Sequence, residues 1–121
     1  MKHLLTPEQS ATLIAKGISA DKASEIKEYD DEVSQWTHKG YPLFAFADLL
    51  SLLPKTINPG RYYLDLSYGF GDWTASYILW DNCDGGTYIR DTQGEKTADE
   101  LVDALYKLLL WAIDHNHIKL D

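Results

Sequence analysis

The residues from Tyr62 to Trp80 alternate with a period of two, and they do so twice. Tyr62, Leu64, Leu66 and Tyr68 are interleaved with Tyr63, Asp65 and Ser67. Beyond Gly69-Phe70-Gly71, the residues Trp73, Ala75, Tyr77 and Leu79 are interleaved with Thr74, Ser76, Ile78 and Trp80. Successive side chains of a strand point to opposite faces, so each run reads as a strand with one apolar face. The link YGFGDW is then the bend of a hairpin, with Gly69 and Gly71 expected to supply positive φ and Phe70 at the tip. A phenylalanine there should be wet unless it packs back or meets a partner. No helix follows the glycines, which excludes a phosphate-binding loop of the dinucleotide or P-loop kind. The second strand is apolar on both faces near its end, as a central strand should be. Asp81 to Gly86 reads as a further turn, and Thr87 to Asp91 as a third strand.

The period then changes to that of a helix. Thr97 and Glu100 have the spacing of a capping box, with Asp99 and Glu100 at the positive end of the helix dipole, so a helix is expected from Thr97 to about His115. At about 100° per residue, the apolar side chains between Leu101 and Ile113 fill an arc wider than half the circumference. A helix this apolar should lie on the sheet and touch another helix as well. Two residues fit the arc poorly. Leu110 falls outside it, between Asp99 and Asp103, and Trp111 sits at its edge beside Glu100.

The first part of the chain is helical or irregular. Thr6 can cap a helix with Pro7 at its first position and Gln9 completing a capping box, and Gly17 can end it so that Ile18 folds back on Leu13. A short turn is expected after Ser19. Within residues 25–42, Ile26, Tyr29, Val33 and Trp36 have helical spacing, Asp30-Asp31 and Gly40-Tyr41-Pro42 favour irregular chain, and a strand at Val33 to Thr37 fits equally well. In Phe46 to Leu53, the residues Phe46, Leu49, Leu50 and Leu53 share a helix face, Pro54 stops the helix, and Asn58-Pro59-Gly60 makes a turn. These blocks point to an α+β fold: a small antiparallel sheet of about three strands with helices packed on one face, in a single domain of residues 1–121. Its expected core holds Leu49, Leu53, Leu64, Leu66, Ala75, Tyr77, Leu101, Leu105, Leu108 and Ala112.

With 121 residues, 45% of them hydrophobic, the chain can bury such a core without disulfides or metals. The single cysteine, Cys83, excludes an intrachain disulfide and fits a reducing compartment. MKHLLTPEQ lacks the apolar run of a secretory signal, and no stretch approaches the roughly 18 apolar residues of a membrane span, so a soluble, cytoplasmic protein is expected. The net charge is -8, and the 11 basic residues are scattered singly, which argues against nucleic-acid binding. The acids fall in two groups: one around Asp30, Asp31 and Glu32, the other from Asp81 through Asp91 and Glu95 to Asp99, Glu100 and Asp103. They serve solubility, or they make an acidic surface for a basic partner.

Residues that carry chemistry are sparse. His115 and His117 have no cysteine or second histidine pair nearby, so a cation at the negative end of the last helix is the better reading. Asp81 to Gly85 has the composition of a calcium loop, but its third position is Cys83 and no glutamate stands at the twelfth. An acidic turn would raise the pKa of Cys83, which disfavours a nucleophile. Ser67 and Ser76 lack the glycine-flanked elbow of hydrolases. Neither a catalytic residue, a metal site nor a cofactor is indicated. The candidates are for partner binding: Phe70, Trp80, Leu110, Trp111, Asp30, Asp31 and Glu32. The outer face of the hairpin, with Tyr63, Ile78 and Trp80, is either covered or an apolar patch for a partner or a second copy.

The blocks LTPEQS-x-x-LI-x-x-G-I-x-A-x-x-A, PLFAFADLLSLLPKTI, W-x-A-x-Y and ADELVDALYKLLLWAI together resemble a group of short uncharacterised proteins encoded by prophages and mobile elements of gut bacteria. The resemblance covers most of the chain and is carried mainly by LLSLLPKTI and LVDALYKLLLWAI. It implies an accessory phage-type protein inside a bacterial cell, and it brings no activity, cofactor or catalytic residue. The expected function is therefore non-enzymatic, through protein–protein contact, in its narrower form as an acidic inhibitor of a basic partner. Two alternatives stay open. One is a small enzyme or ligand binder with a cleft beside hairpin 62–80, holding Asp65, Asp72 or His38. The other is a structural subunit of a phage-type assembly, which would be a homo-oligomer.

Overall fold

The computed structural model describes residues 2–27, 41–83 and 85–120. Along the chain these form α1 (Pro7–Ala15), a 3₁₀ turn (Ala20–Lys22), β1 (Glu25–Lys27), β2 (Tyr41–Leu43), α2 (Phe46–Leu52), β3 (Thr56–Ile57), β4 (Tyr62–Gly69), β5 (Asp72–Cys83), β6 (Gly86–Ala98) and α3 (Leu101–Asp114).

Local chemistry sets the ends of α1. The Gln9 amide donates to Thr6 Oγ1 at 3.1 Å, and the Thr6 amide donates to Gln9 Oε1 at 2.9 Å, which satisfies two donors the helix leaves unpaired. At the other end Gly17 takes a φ of 110°, so that the Gly17 and Ile18 amides reach the carbonyls of Ile14 and Leu13, each at 3.0 Å. Ile18 and Leu13 are both buried, the apolar contact that accompanies this ending. The start of α2 is held differently. Asp48 Oδ2 accepts from the Ala45 amide at 2.8 Å and from the Ser24 amide and hydroxyl at 2.9 and 2.8 Å, which ties the helix to the segment before β1.

The main sheet is antiparallel in the order β3-β4-β5-β6, so β5 is central, as its two apolar faces require. It has four strands rather than about three, because Thr56–Ile57 turns back across Asn58–Gly60 to pair with Tyr62 and Tyr63. β6 is also much longer than the strand expected over Thr87–Asp91. It shifts register against β5 twice, between Ala75 and Tyr77 and between Leu79 and Trp80. At the first shift Gly94 and Glu95 together face Ser76, and Gly94 takes a φ of 68°. Such bulges break the alternation of apolar and polar residues, so the strand cannot be read from its period.

Thr97 is the main correction. It does not open the last helix but lies in β6 opposite Thr74, with the two hydroxyls 3.3 Å apart. Pairing with β5 holds its backbone extended, and α3 begins at Leu101, with Glu100 as the capping residue. The Glu100 carboxylate makes no capping box; it accepts from the Lys2 amide at 3.0 Å. A second correction concerns Tyr41–Leu43, which the proline makes look irregular. It pairs with Glu25–Lys27 in a separate two-stranded sheet, where Pro42 is tolerated because β2 is an edge. The alternative strand at Val33–Thr37 lies outside the described residues.

α3 covers one face of β5 and β6 and also packs on α2. Leu49, Leu53, Ala75, Tyr77, Leu101, Leu105, Leu108 and Ala112 are buried in one cluster, and Leu64 and Leu66 are half-buried against it. Each fully buried leucine contributes about 2 kcal/mol. Tyr77 is fully buried, and its hydroxyl donates to the Pro54 carbonyl at 2.7 Å. Burial pushes its phenol well above the ordinary value. Among the described residues no helix is long and apolar enough to cross a membrane.

Candidate functional site

The register of the sheet sorts the hairpin side chains into two sets. Leu64 faces Tyr77 and Leu66 faces Ala75, and these residues point towards α3. On the opposite face Tyr63, Ile78 and Thr92 lie side by side across three strands, and Trp80 faces Ile89 in the next row. Ile78 is buried, but among the described residues it is not part of the cluster under α3. Its neighbours are open: Tyr63 is 53% exposed, Trp80 44% and Ile89 51%. Three large apolar residues so placed form a patch rather than scattered singles.

The patch extends onto a projecting ribbon. β4 pairs with β5 as far as Ile78, and beyond it, among the described residues, Leu79–Cys83 pair with β6 alone. Tyr62 OH clamps the base of the ribbon by donating to Asp91 Oδ2 at 2.6 Å, a bond that pushes the phenol upward. Further out, Arg90 pairs with Asp81 at 3.3 Å, and Tyr88 lies half in solvent.

Phe70 stands at the other end of the same hairpin and is fully exposed. The turn is a two-residue loop closed by Gly69 and Asp72, in which Phe70 has a φ of 55° and Gly71 of 83°. Gly69 is not in the left-handed region, so the phenylalanine carries the conformation that the sequence assigned to a glycine. A left-handed residue with a Cβ costs about 1 kcal/mol, and this turn type favours asparagine or glycine there. Beneath the tip the rings of Tyr68 and Trp73 pack at 5.0 Å, with Tyr68 largely exposed and Trp73 anchored on the core.

Leu110 and Trp111 are positioned otherwise. Both are half-buried against the core, Trp111 with its ring 6.3 Å from that of Tyr77. The imidazoles of His115 and His117 stack on the indole at 4.7 and 5.0 Å, and His115 Nδ1 lies 2.9 Å from the Trp111 carbonyl oxygen. Burial, then the neighbouring His115, keeps His117 below the ordinary histidine pKa. A Cβ on Gly94 would come within 2.7 Å of the Trp111 ring, so the bulge and the indole fit each other closely. Among the described residues no group of three histidine, cysteine or acidic side chains could hold a metal.

Asp30, Asp31, Glu32 and His38 lie outside the described residues. The second group is partly engaged within the chain. Asp103 accepts from Lys2 Nζ at 2.9 Å and from Gln9 at 3.0 Å. Burial alone would raise its carboxyl, but these bonds and the charges of Lys2 and Lys107 outweigh it and hold the pKa below ordinary. Asp65 is half-buried and Asp72 exposed. A cavity of about 410 Å³ lies elsewhere, between Asp21–Ser24 and the Asp48–Leu52 part of α2. The Asp48 carboxylate there is occupied by its three hydrogen bonds.

Phe70 and Trp80, singled out from the sequence, are exposed, whereas Ile89 was not singled out, because its place beside Trp80 depends on a bulge that no local signal announces. In comparisons with known proteins no family model matches the chain, and no curated protein or solved structure is similar to it.

Proposed function

We propose that this protein acts by binding another protein through the face of the sheet turned away from α3. The observation that carries the reading is the set of Tyr63, Trp80 and Ile89, large, apolar, exposed and brought to one face of the sheet by the register of β4, β5 and β6. Aromatic side chains on fixed backbone are the groups that dominate protein interfaces, because they bury much area at little entropic cost. The chemistry-bearing residues support the same reading. Asp81, Asp91 and Asp103 have partners within the chain, and the histidines of the last turn are stacked on Trp111. The narrower reading, an acidic inhibitor of a basic protein, draws on the net charge of -8. It has fewer free carboxylates to use than the sequence suggests. A place among accessory proteins of prophages remains part of the proposal and rests on the sequence blocks alone.

The test is affinity capture from a lysate of the native host with the wild-type chain and with the double variant Trp80→Ser, Ile89→Thr, read by quantitative mass spectrometry. A protein retained by the wild type and reduced at least tenfold on the variant is expected. Identical protein sets on the two baits would refute the assignment of this face.

A further inference from the structure

We infer that Phe70 is an anchor that enters an apolar, cation-rimmed pocket on a protein partner. The inference rests on the reading of the chain as a binding protein and assigns to it a second, distinct contact. Phe70 is fully exposed and takes a φ of 55°, a region that bulky residues avoid. Asparagine or glycine would satisfy this two-residue turn better, so the phenylalanine is not there for the stability of the hairpin. Its support is anchored: below the closing pair Gly69–Asp72 the rings of Tyr68 and Trp73 pack at 5.0 Å, and Trp73 packs on the core. An aromatic ring held out on a short, stiff loop loses little freedom when it is buried by another molecule.

The charges around the tip select the kind of partner. Asp72 follows the turn, and Asp99 directly follows Ala98, the partner of Trp73. Both are exposed, and neither is in an ion pair among the described residues. Two exposed carboxylates at this end of the hairpin, in no ion pair among the described residues, match a pocket with lysine or arginine at its rim. They disfavour the other occupants. An anionic lipid surface would be repelled by the tip and by the net charge of -8. A second copy would bring the same two carboxylates against its own acidic surface.

The test places a photoreactive benzoyl-phenylalanine at position 70, or at position 80, of the full chain, and illuminates each in a lysate of the native host at low and high salt. At position 70 one discrete protein adduct is expected. Its cross-linked peptide should lie beside lysine or arginine, and its yield should fall at least fivefold at high salt or with Asp72→Asn and Asp99→Asn. Adducts to lipid, to a second copy, or to many proteins regardless of salt and of the two aspartates would overturn the inference. So would the absence of an adduct. An adduct at position 80 without one at position 70 removes the anchor and leaves the binding face standing, whereas no adduct at either removes both. Phe70→Asn is the control on the fold. It should raise the thermal midpoint by about 4 °C, and a lower midpoint would show that Phe70 serves the hairpin itself.

Discussion

Tyr77 and Trp80 lie three residues apart on the same strand, and their surroundings could hardly differ more. Tyr77 is fully buried and bonded to the Pro54 carbonyl, whereas Trp80 is 44% exposed. From Trp73 to Ile78, β5 is flanked by β4 and β6 and carries α3 on one face; from Leu79 onward only β6 pairs with it among the described residues. The same kind of sequence is thus core in one half of the strand and surface in the other. What differs is the face each side chain takes, towards α3 for Tyr77 and away from it for Trp80, and where the neighbouring elements end. Alternation tells which residues share a face, and the lengths of β4 and α3 decide which of those faces are buried.

Substitutions can break or sharpen this contrast. The largest effect is expected at the bulge within the buried half, where Gly94 faces Ser76. Gly94→Ala would force a Cβ to within 2.7 Å of the Trp111 indole and place it in the left-handed region at once. A loss of about 4 kcal/mol in denaturant unfolding is expected, the sum of overpacking and backbone cost. A loss below about 1 kcal/mol would mean that the bulge is not locked to α3.

Within the buried half, Tyr77→Phe keeps the ring and removes its one hydroxyl bond, leaving the Pro54 carbonyl without that donor. The expected cost is about 1 kcal/mol. An unchanged midpoint in urea would show that water replaces the hydroxyl.

A smaller effect is tied to pH. The Asp103 carboxyl is held below the ordinary carboxylate pKa in the folded chain by Lys2 and Gln9, despite the burial that acts the other way. A group whose folded pKa is depressed contributes stability above its unfolded pKa and loses it as the pH falls through the folded one. Thermal midpoints of wild type and Asp103→Asn should therefore differ at neutral pH and converge below about pH 4. The gap should correspond to less than about 1 kcal/mol, since the pair is partly exposed. Midpoints that differ equally at pH 7 and at low pH would assign the effect to packing.

The smallest effect on stability belongs to the projecting half. Trp80→Ser with Ile89→Thr should shift the unfolding free energy by no more than about 0.5 kcal/mol, because both side chains are half in solvent. A large loss would make the ribbon part of the fold rather than a contact surface.

The parts of the molecule that were legible in the sequence are those fixed by local chemistry or by strict period. The capping box of Thr6 and Gln9, the ending at Gly17, and the apolar face of β4 and β5 follow from a few neighbouring residues. β6 was half hidden because two bulges interrupt its alternation, and Thr97 carries a helix-start signal that pairing with Thr74 overrides. The site shows the same division. Phe70 and Trp80 stand out by type and spacing, whereas Leu110, outside the helical arc, packs against the core because other elements flank α3 on more than one side. Ile89 is invisible without the register, since its neighbour across the sheet is set by the second bulge.

The most direct measurement is hydrogen exchange on the chain alone and on the chain bound to the protein recovered by capture. Alone, the amides of α3 and of β5 up to Ile78 should exchange slowly and those of the ribbon quickly. In the complex, protection should be gained around Tyr63, across residues 78–81 and 87–92, and at the Phe70 turn. Protection gained instead on α1 and the outer surface of α3, with the ribbon unchanged, would contradict the assignment of the face turned away from α3 as the contact surface.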